Sequence, residues 1–316
     1  MMPLAFDLFL CGLVLAVAVA AVSGRELFGS IVFFIVYGLL MALAWVRLEA
    51  VDVALTEAAI GAGLTGLLLV GASARLRRLQ APEEETGSRK ARAATAIACL
   101  SIAGLIGAAV LLLDPRAPGL APMVDCSLAE SGVGNPVTAV LLNFRAYDTL
   151  LESTVLLVAL LGVWSLSDER SWGGHGGLRQ YARPGGVLAT FGRTLPAIGL
   201  IIGVYLVWAG SKQPGGAFQG GTVLAAVWLL MAVAGVADAP RVSNRLLRLG
   251  LVAGPALFLA IGMAGAMAGD FLRLPPEHAG NLILLIEAGL TVSVAVTLAL
   301  LVVGPPQRDL PHGEPS

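Results

Sequence analysis

Three glutamates stand inside long apolar stretches: Glu57 in Asp52-Val-Ala-Leu-Thr-Glu57-Ala-Ala-Ile-Gly61, Glu152 in Asp148-Thr-Leu-Leu-Glu152, and Glu287 in Leu285-Ile-Glu287-Ala-Gly289. An unpaired ionisable group costs roughly 2.5–3.5 kcal/mol to insert at the centre of a bilayer, so a carboxyl retained there is a candidate for holding or passing a proton or cation. Low-dielectric surroundings favour the protonated form of a carboxyl, which is the chemistry of a proton relay. Glu57 and Glu287 each lie about two turns into their apolar runs. Asp148 and Glu152 are spaced to share one helix face, with Arg145 within a turn. A structural alternative stands beside each. Asp148, and more strongly Asp52, fit first-turn helix acids, and a protonated glutamate hydrogen-bonded between helices needs no transport role.

A second stretch draws notice for its backbone. Ser211-Lys212-Gln213-Pro214-Gly215-Gly216-Ala217-Phe218-Gln219-Gly220-Gly221 joins two apolar runs and is almost without charge. Pro214 removes a donor, and the glycines allow backbone shapes closed to other residues. Two readings stand: a tight turn with a glycine face for close helix packing, or irregular backbone whose free N–H and C=O groups line a polar path. The sequence favours a packed or re-entrant turn on the outer side, with any polar path running through the glutamates beside it.

The setting for these residues is a membrane. Apolar residues make up 57% of the 316 and charged residues 13%, with mean hydropathy +0.85; soluble domains carry roughly 25% charged residues. A net charge of −1 gives no footprint for nucleic acid. Cys11, Cys99 and Cys126 are isolated, and His175, His278 and His312 are scattered, so no disulfide framework, metal site or haem ligation is expected. The glycine-rich stretch lacks the Gly-Lys-Ser/Thr of a phosphate-binding loop, and no histidine accompanies a nucleophile. No cofactor, no metal and no enzymatic activity are expected.

A bilayer span needs about 20 mostly apolar residues. Nine stretches qualify: Leu4–Val22, Leu27–Val46, Val51–Ser73, Ala93–Leu113, Tyr147–Leu166, Thr194–Gly210, Gln219–Ala237, Leu249–Gly269 and Asn281–Val303. The first resembles a signal peptide at Ala20-Ala-Val-Ser23 but has no basic start and carries Asp7, so it is read as a retained helix. With the N-terminus outside and the C-terminus inside, fifteen of the 20 Lys and Arg fall on the inner side, as the positive-inside rule asks. The expectation is an all-α integral membrane protein of about nine transmembrane helices. It falls into three blocks at 1–80, 93–167 and 190–304. Two inner linkers separate them: a charged one with Glu83-Glu84-Glu85, and a glycine-rich one with Gly173-Gly174-His175-Gly176-Gly177. The segment 135–145 has helical spacing suited to a membrane surface.

Three stretches carry a resemblance to the membrane arm of Mrp-type multisubunit Na⁺/H⁺ antiporters and the related energy-converting hydrogenases. Asp52–Gly61 resembles the C-terminal end of the large A-type antiporter component, equivalent to the small D-type component of the hydrogenases. Asn143-Phe-Arg-Ala-Tyr-Asp148-Thr-Leu-Leu-Glu152 is similar to the neighbouring E-type component, with Leu151 where glycine is common. Residues 193–303, with Gln213-Pro-Gly-Gly-Ala-Phe-Gln-Gly-Gly221, resemble the B-type (MnhB-like) antiporter component, a four-helix protein. Family members carry a histidine before the Pro-Gly-Gly turn where this chain has Ser211-Lys212, so that histidine's role does not transfer; Lys212 offers a cation but no imidazole to shuttle a proton in the same way. Ala217 replaces the usual third glycine. The resemblance implies a non-catalytic plasma-membrane subunit that works with other antiporter subunits in the lipid bilayer to move Na⁺ or H⁺. Its candidate path residues are Glu57, Asp148, Glu152 and Glu287. The alternative is a membrane-arm component of a redox-driven proton or sodium pump.

Overall fold

The structure, a computed structural model, describes residues 2–24, 26–78, 88–113, 119–177, 186–237 and 240–307. It is helical almost throughout. Among the described residues, eight helices are long and apolar enough to cross a membrane, and a ninth apolar helix is shorter. The charged stretch Glu83-Glu84-Glu85 lies outside the described residues.

The first two helices, α1 (Met2–Ser23) and α2 (Leu27–Arg47), form a hairpin, pinned at its open end by Arg47 Nε on Asp7 Oδ1 at 2.7 Å. The third span runs through α3 (Val51–Thr56), a π-helical segment Glu57–Leu64, and α4 (Thr65–Arg78). A π-helix widens the turn by one residue, and such segments are frequent at functional sites. Here the wide turn sits against α2, where a Cβ on Gly38 would stand 3.0 Å from the Ala62 Cβ. Thr65 Oγ1 donates to the Ile60 carbonyl at 2.9 Å, adding a donor inside the altered ladder.

The span α5 (Arg89–Leu112) is capped by Ser88, whose Oγ accepts from the Ala91 N–H at 3.3 Å, and has no buried residue. After the short α6 (Ala121–Ser127) comes α7 (Pro136–Ala139), which continues as a second π-helical segment, Val140–Phe144, and then α8 (Ala146–Ser165). Asn135 caps α7 and Pro136 takes its first turn, where a missing N–H costs nothing. The surface helix expected at 135–145 is in fact inserted into the protein: Thr138, Ala139 and Leu142 are buried.

The last four helices are α9 (Val187–Ala209), α10 (Ala217–Val233), α11 (Arg245–Ala268) and α12 (Ala279–Val303). Helix α9 starts several residues before the expected Thr194, with Arg193 and Pro196 inside it. The 17 residues of α10 rise about 25 Å, short of a hydrocarbon core of about 30 Å. Helix α12 is the centre of the molecule. It packs on α8, α9, α10 and α11, and Ile283, Ile286, Leu290, Val294 and Leu298 are all buried. Glycines bring its neighbours close: a Cβ on Gly221 of α10 would lie 2.8 Å from Val294, and one on Gly254 of α11 would lie 2.8 Å from the Leu290 Cα. Pro255 cannot donate to the Leu251 carbonyl one turn back. The Ser293 hydroxyl of α12 takes that place at 2.9 Å, so a freed backbone acceptor is satisfied across the helix interface.

The glycine-rich connector around Gly173–Gly177 is not a free linker. His175–Gly176 forms β1, antiparallel to β2 (Pro306–Gln307), with His175 opposite Gln307. The Val242 N–H also donates to the Gly174 carbonyl at 3.0 Å. A Cβ on Gly176 would collide with Val303, and one on Gly177 would stand 2.6 Å from Gln307 Nε2. The glycines let this segment lie flat on the end of α12.

Candidate functional site

The turn between α9 and α10 is held on every side. Its own backbone closes first: Lys212 and Gln213 N–H both donate to the Ala209 carbonyl at 2.8 Å, and Gly216 N–H returns to the Leu206 carbonyl at 2.9 Å. Gly216 sits at φ 125°, ψ −171°, a conformation only glycine adopts without strain. Three of its carbonyls are met by another segment. Ser211 O accepts from the Gly134 and Asn135 N–H groups at 2.8 and 3.1 Å. Thr138 Oγ1 donates to Gly210 O at 2.6 Å, and Asn135 Nδ2 donates to Gln213 O at 3.0 Å. Both readings left open by the sequence have a counterpart in the geometry: the turn is tightly packed, and its Gly215 and Gly216 also border a cavity. Much of its irregular backbone is thus paired within the protein, as membrane burial asks.

Asp52 is the residue that ties this turn to the third span. It occupies the first turn of α3, as expected of a helix acid, but is only 9% exposed. Its Oδ1 accepts from the Gly215 N–H at 2.9 Å, and its Oδ2 faces Asn135 Nδ2 at 3.4 Å. Gln219, in the first turn of α10, adds a second link: its Nε2 donates to the Asp52 carbonyl at 3.3 Å and to Thr56 Oγ1 at 3.1 Å. Three segments far apart in sequence thus meet at one point. Sequence reasoning takes Asp52 for an ordinary first-turn acid and passes over Asn135 and Thr138. The one available signal was an acid at the head of an apolar span with no basic residue within a turn; nothing local identified the other two.

Beneath the turn lies a cavity of about 380 Å³. Asp52 and Thr56 of the third span, Thr138 and Thr149, Glu152 of α8, Gly215, Gly216 and Gln219, and Glu287 of α12 supply its polar lining; Ile60, Leu142, Leu156 and Leu290 supply apolar wall. No Lys, Arg or His lines it among the described residues. Glu287 is 2% exposed. Its Oε2 is buried without a hydrogen-bond partner, while a Cβ on Gly216 would stand 3.1 Å from its Oε1. Glu152 is exposed at the cavity's open side.

The structure therefore brings Glu152 and Glu287 together with Gly215, Gly216, Phe218 and Gln219 of the motif turn. Glu57 is half-buried and lies outside the cavity lining, with its carboxylate folded over Gly61, where a Cβ would collide with it. Asp148 forms an exposed ion pair with Arg145 at 2.6 Å, one helix turn away from Glu152. Lys212 is exposed and borders two surface hollows, one with Tyr205 and one with Asp125, not the carboxyl-lined cavity. Pro214 is exposed, and Gly220 and Gly221 are buried where α10 meets α9 and α12. No group of three His, Cys, Asp or Glu side chains among the described residues is arranged to hold a metal ion. The chemistry available is that of isolated carboxyls, amides and hydroxyls, which exchange protons or touch single cations.

Comparison with known proteins agrees with this organisation. Residues 12–78 match the MbhD family of MBH subunits, and residues 187–306 match the domain related to MnhB subunit of Na⁺/H⁺ antiporter. The chain is 25% identical over 165 residues to putative antiporter subunit mnhA2 of Staphylococcus aureus strains JH9 and USA300, covering 51% of this chain and 20% of the relative. It thus spans about a fifth of the length of the curated relatives it matches. A chain of the Mrp complex from Dietzia sp. DQ12-45-1b superposes over 97% of this chain and 35% of that one, with TM-score 0.74 and 24% identity. A chain of the membrane-bound sulfane sulfur reductase, an archaeal respiratory membrane complex, superposes over 67% of this chain and 96% of that one, with TM-score 0.55 and 23% identity. The protein is a multi-pass membrane chain, similar over part of its length to the mnhA2 antiporter proteins, that joins an MbhD-type segment to an MnhB-related domain.

Proposed function

We propose that this chain is a non-catalytic subunit of a multisubunit monovalent cation/proton antiporter in the plasma membrane, and that its carboxyl-lined cavity belongs to the ion path. The observation that carries the proposal is Glu287: a fully buried carboxyl on the central helix, with an unpartnered oxygen, in a cavity without a basic side chain. Its place within the MnhB-related region supports the antiporter reading. Glu152 at the open side and Asp52 at the turn extend the polar lining toward the two other segments. Glu57, on the π-helical segment, belongs to a separate step of the same path. Residues 1–80, 93–167 and 190–304 act as three blocks equivalent to D-type, E-type and B-type components, with the N-terminus outside and the C-terminus inside.

The partners in this reading are the remaining antiporter subunits, and the transported ions are Na⁺ and H⁺. A second reading, a membrane-arm component of a redox-driven pump, draws on the MbhD match and the likeness to the sulfane sulfur reductase chain. The longer superposition with the Mrp chain favours the first. Purification through a tag on this chain separates them. Co-purification with large antiporter-type subunits, and Na⁺-driven proton movement in vesicles that vanishes when the chain is deleted, are expected. Co-purification with a soluble redox arm, or a stable active monomer, would contradict the proposal.

A further inference from the structure

The amide of Gln219 has only one orientation that its neighbours accept. The Asp52 carbonyl oxygen is an acceptor, so the amide nitrogen must face it, at 3.3 Å. The same nitrogen donates to Thr56 Oγ1 at 3.1 Å, and that hydroxyl spends its own hydrogen on the Asp52 carbonyl at 3.0 Å. Gln219 Oε1 is thereby turned to the space over Gly216. A second acceptor borders the same space: a Cβ on Gly216 would stand 3.1 Å from Glu287 Oε1 and 3.4 Å from Gln219 Oε1.

Two acceptors converging on one buried space need a hydrogen between them. An ionised carboxylate brings none. It would also leave Glu287 Oε2, buried and unpartnered, as an uncompensated charge in a residue 2% exposed, which is costly. The other titratable groups of the cavity, Asp52 from α3 and Glu152 from α8, are acids and offer no counter-charge; α10 and α11 add no titratable group to its lining. Asp52 spends its carboxylate on Gly215 and Asn135.

We infer that Glu287 and Gln219 form a proton-binding site, in which Glu287 is a carboxylic acid donating to Gln219 Oε1, directly or through one water over Gly216, with Thr56 as the positioning residue that keeps the amide in its accepting orientation. The acid belongs to the MnhB-related domain, and the group that orients its acceptor belongs to the MbhD-type segment. The site stands on local geometry; only the use made of its proton rests on the ion-path reading.

Infrared difference spectroscopy of the purified complex tests it. At neutral pH, wild type is expected to show a protonated-carboxyl C=O band that Glu287→Gln removes. Gln219→Leu should keep the band and move it to higher wavenumber, as a hydrogen bond is lost. Thr56→Val should move it the same way by less, and Thr56→Ser should leave it in place; a purely structural role for Thr56 moves nothing. Absence of a Glu287-dependent acid band, or a band indifferent to Gln219→Leu, would overturn the site. So would a Glu287 carboxylate band that appears in NaCl and disappears in choline chloride, which would mean a bound alkali cation instead. Transport on the same preparations keeps the two readings apart: an intact band pattern with unchanged transport in Glu287→Gln removes the path and leaves the site.

Discussion

Glu57 and Glu287 look alike in sequence and differ in the folded chain. Each lies in an apolar helix, and each rests its carboxyl against a glycine, Gly61 for one and Gly216 for the other. Glu57 rests on a glycine of its own helix, one turn on, and stays half-buried outside the cavity. Glu287 rests on a glycine of a different helix connection, is buried on every side, and has an oxygen with no partner. The difference comes from what surrounds the two spans. Helix α12 is enclosed by α8, α9, α10 and α11 and also meets α4, whereas the third span packs mainly on α2. Burial by neighbouring helices, not position along a helix, sets the two acids apart.

The largest expected effect separates the two directly. Glu287→Gln should lower cation-dependent proton movement by about tenfold or more, the range for losing one proton-transferring group, while Glu57→Gln lowers it by less. Comparable losses in both would erase the distinction. Next comes the tie between the third span and the turn. Asp52→Ala strands the buried Gly215 N–H, at a cost of about 1–3 kcal/mol, and should lower the thermal stability of the purified complex; Asp52→Asn, which keeps an acceptor at Oδ1, should lose much less. Equal losses would mean that the Gly215 bond contributes little.

Gly216→Ala is expected to cost about 1–3 kcal/mol through backbone strain alone, and it places a methyl beside Glu287 Oε1. Gly71→Ala, at a helical glycine with open space around it, is the matched control and should be neutral or slightly stabilising. The smallest effect belongs to the exposed pair. Arg145–Asp148 is a surface contact of the kind that contributes roughly 0–1 kcal/mol, so Asp148→Asn should leave stability and transport near wild type. A loss as large as that of Glu287→Gln would return Asp148 to the path.

The helices and the motifs of the three blocks were legible because apolar length and glycine–proline punctuation are local signals. Glu287 and the Pro-Gly-Gly turn were legible for the same reason. Asp52 was not. In sequence it reads as a first-turn helix acid, marked only by the lack of a basic residue within a turn, and its partners, Gly215 and Asn135, come from segments far along the chain. The connector at Gly173–Gly177 reads as a linker for a similar reason: its strand partner, Pro306–Gln307, lies at the other end of the last domain. The early start of α9 was hidden by Arg193, which looks like a helix boundary yet is carried inside the helix near its beginning.

We propose that Glu287, and not merely any carboxyl in these spans, carries the ion-linked step. Its most direct test is Na⁺-driven proton movement in membrane vesicles holding the assembled complex with Glu287→Gln, alongside Glu57→Gln, at equal amounts of complex. A loss of about tenfold or more is expected for Glu287→Gln, with a clearly smaller loss for Glu57→Gln. Wild-type movement in an assembled Glu287→Gln complex would contradict the claim.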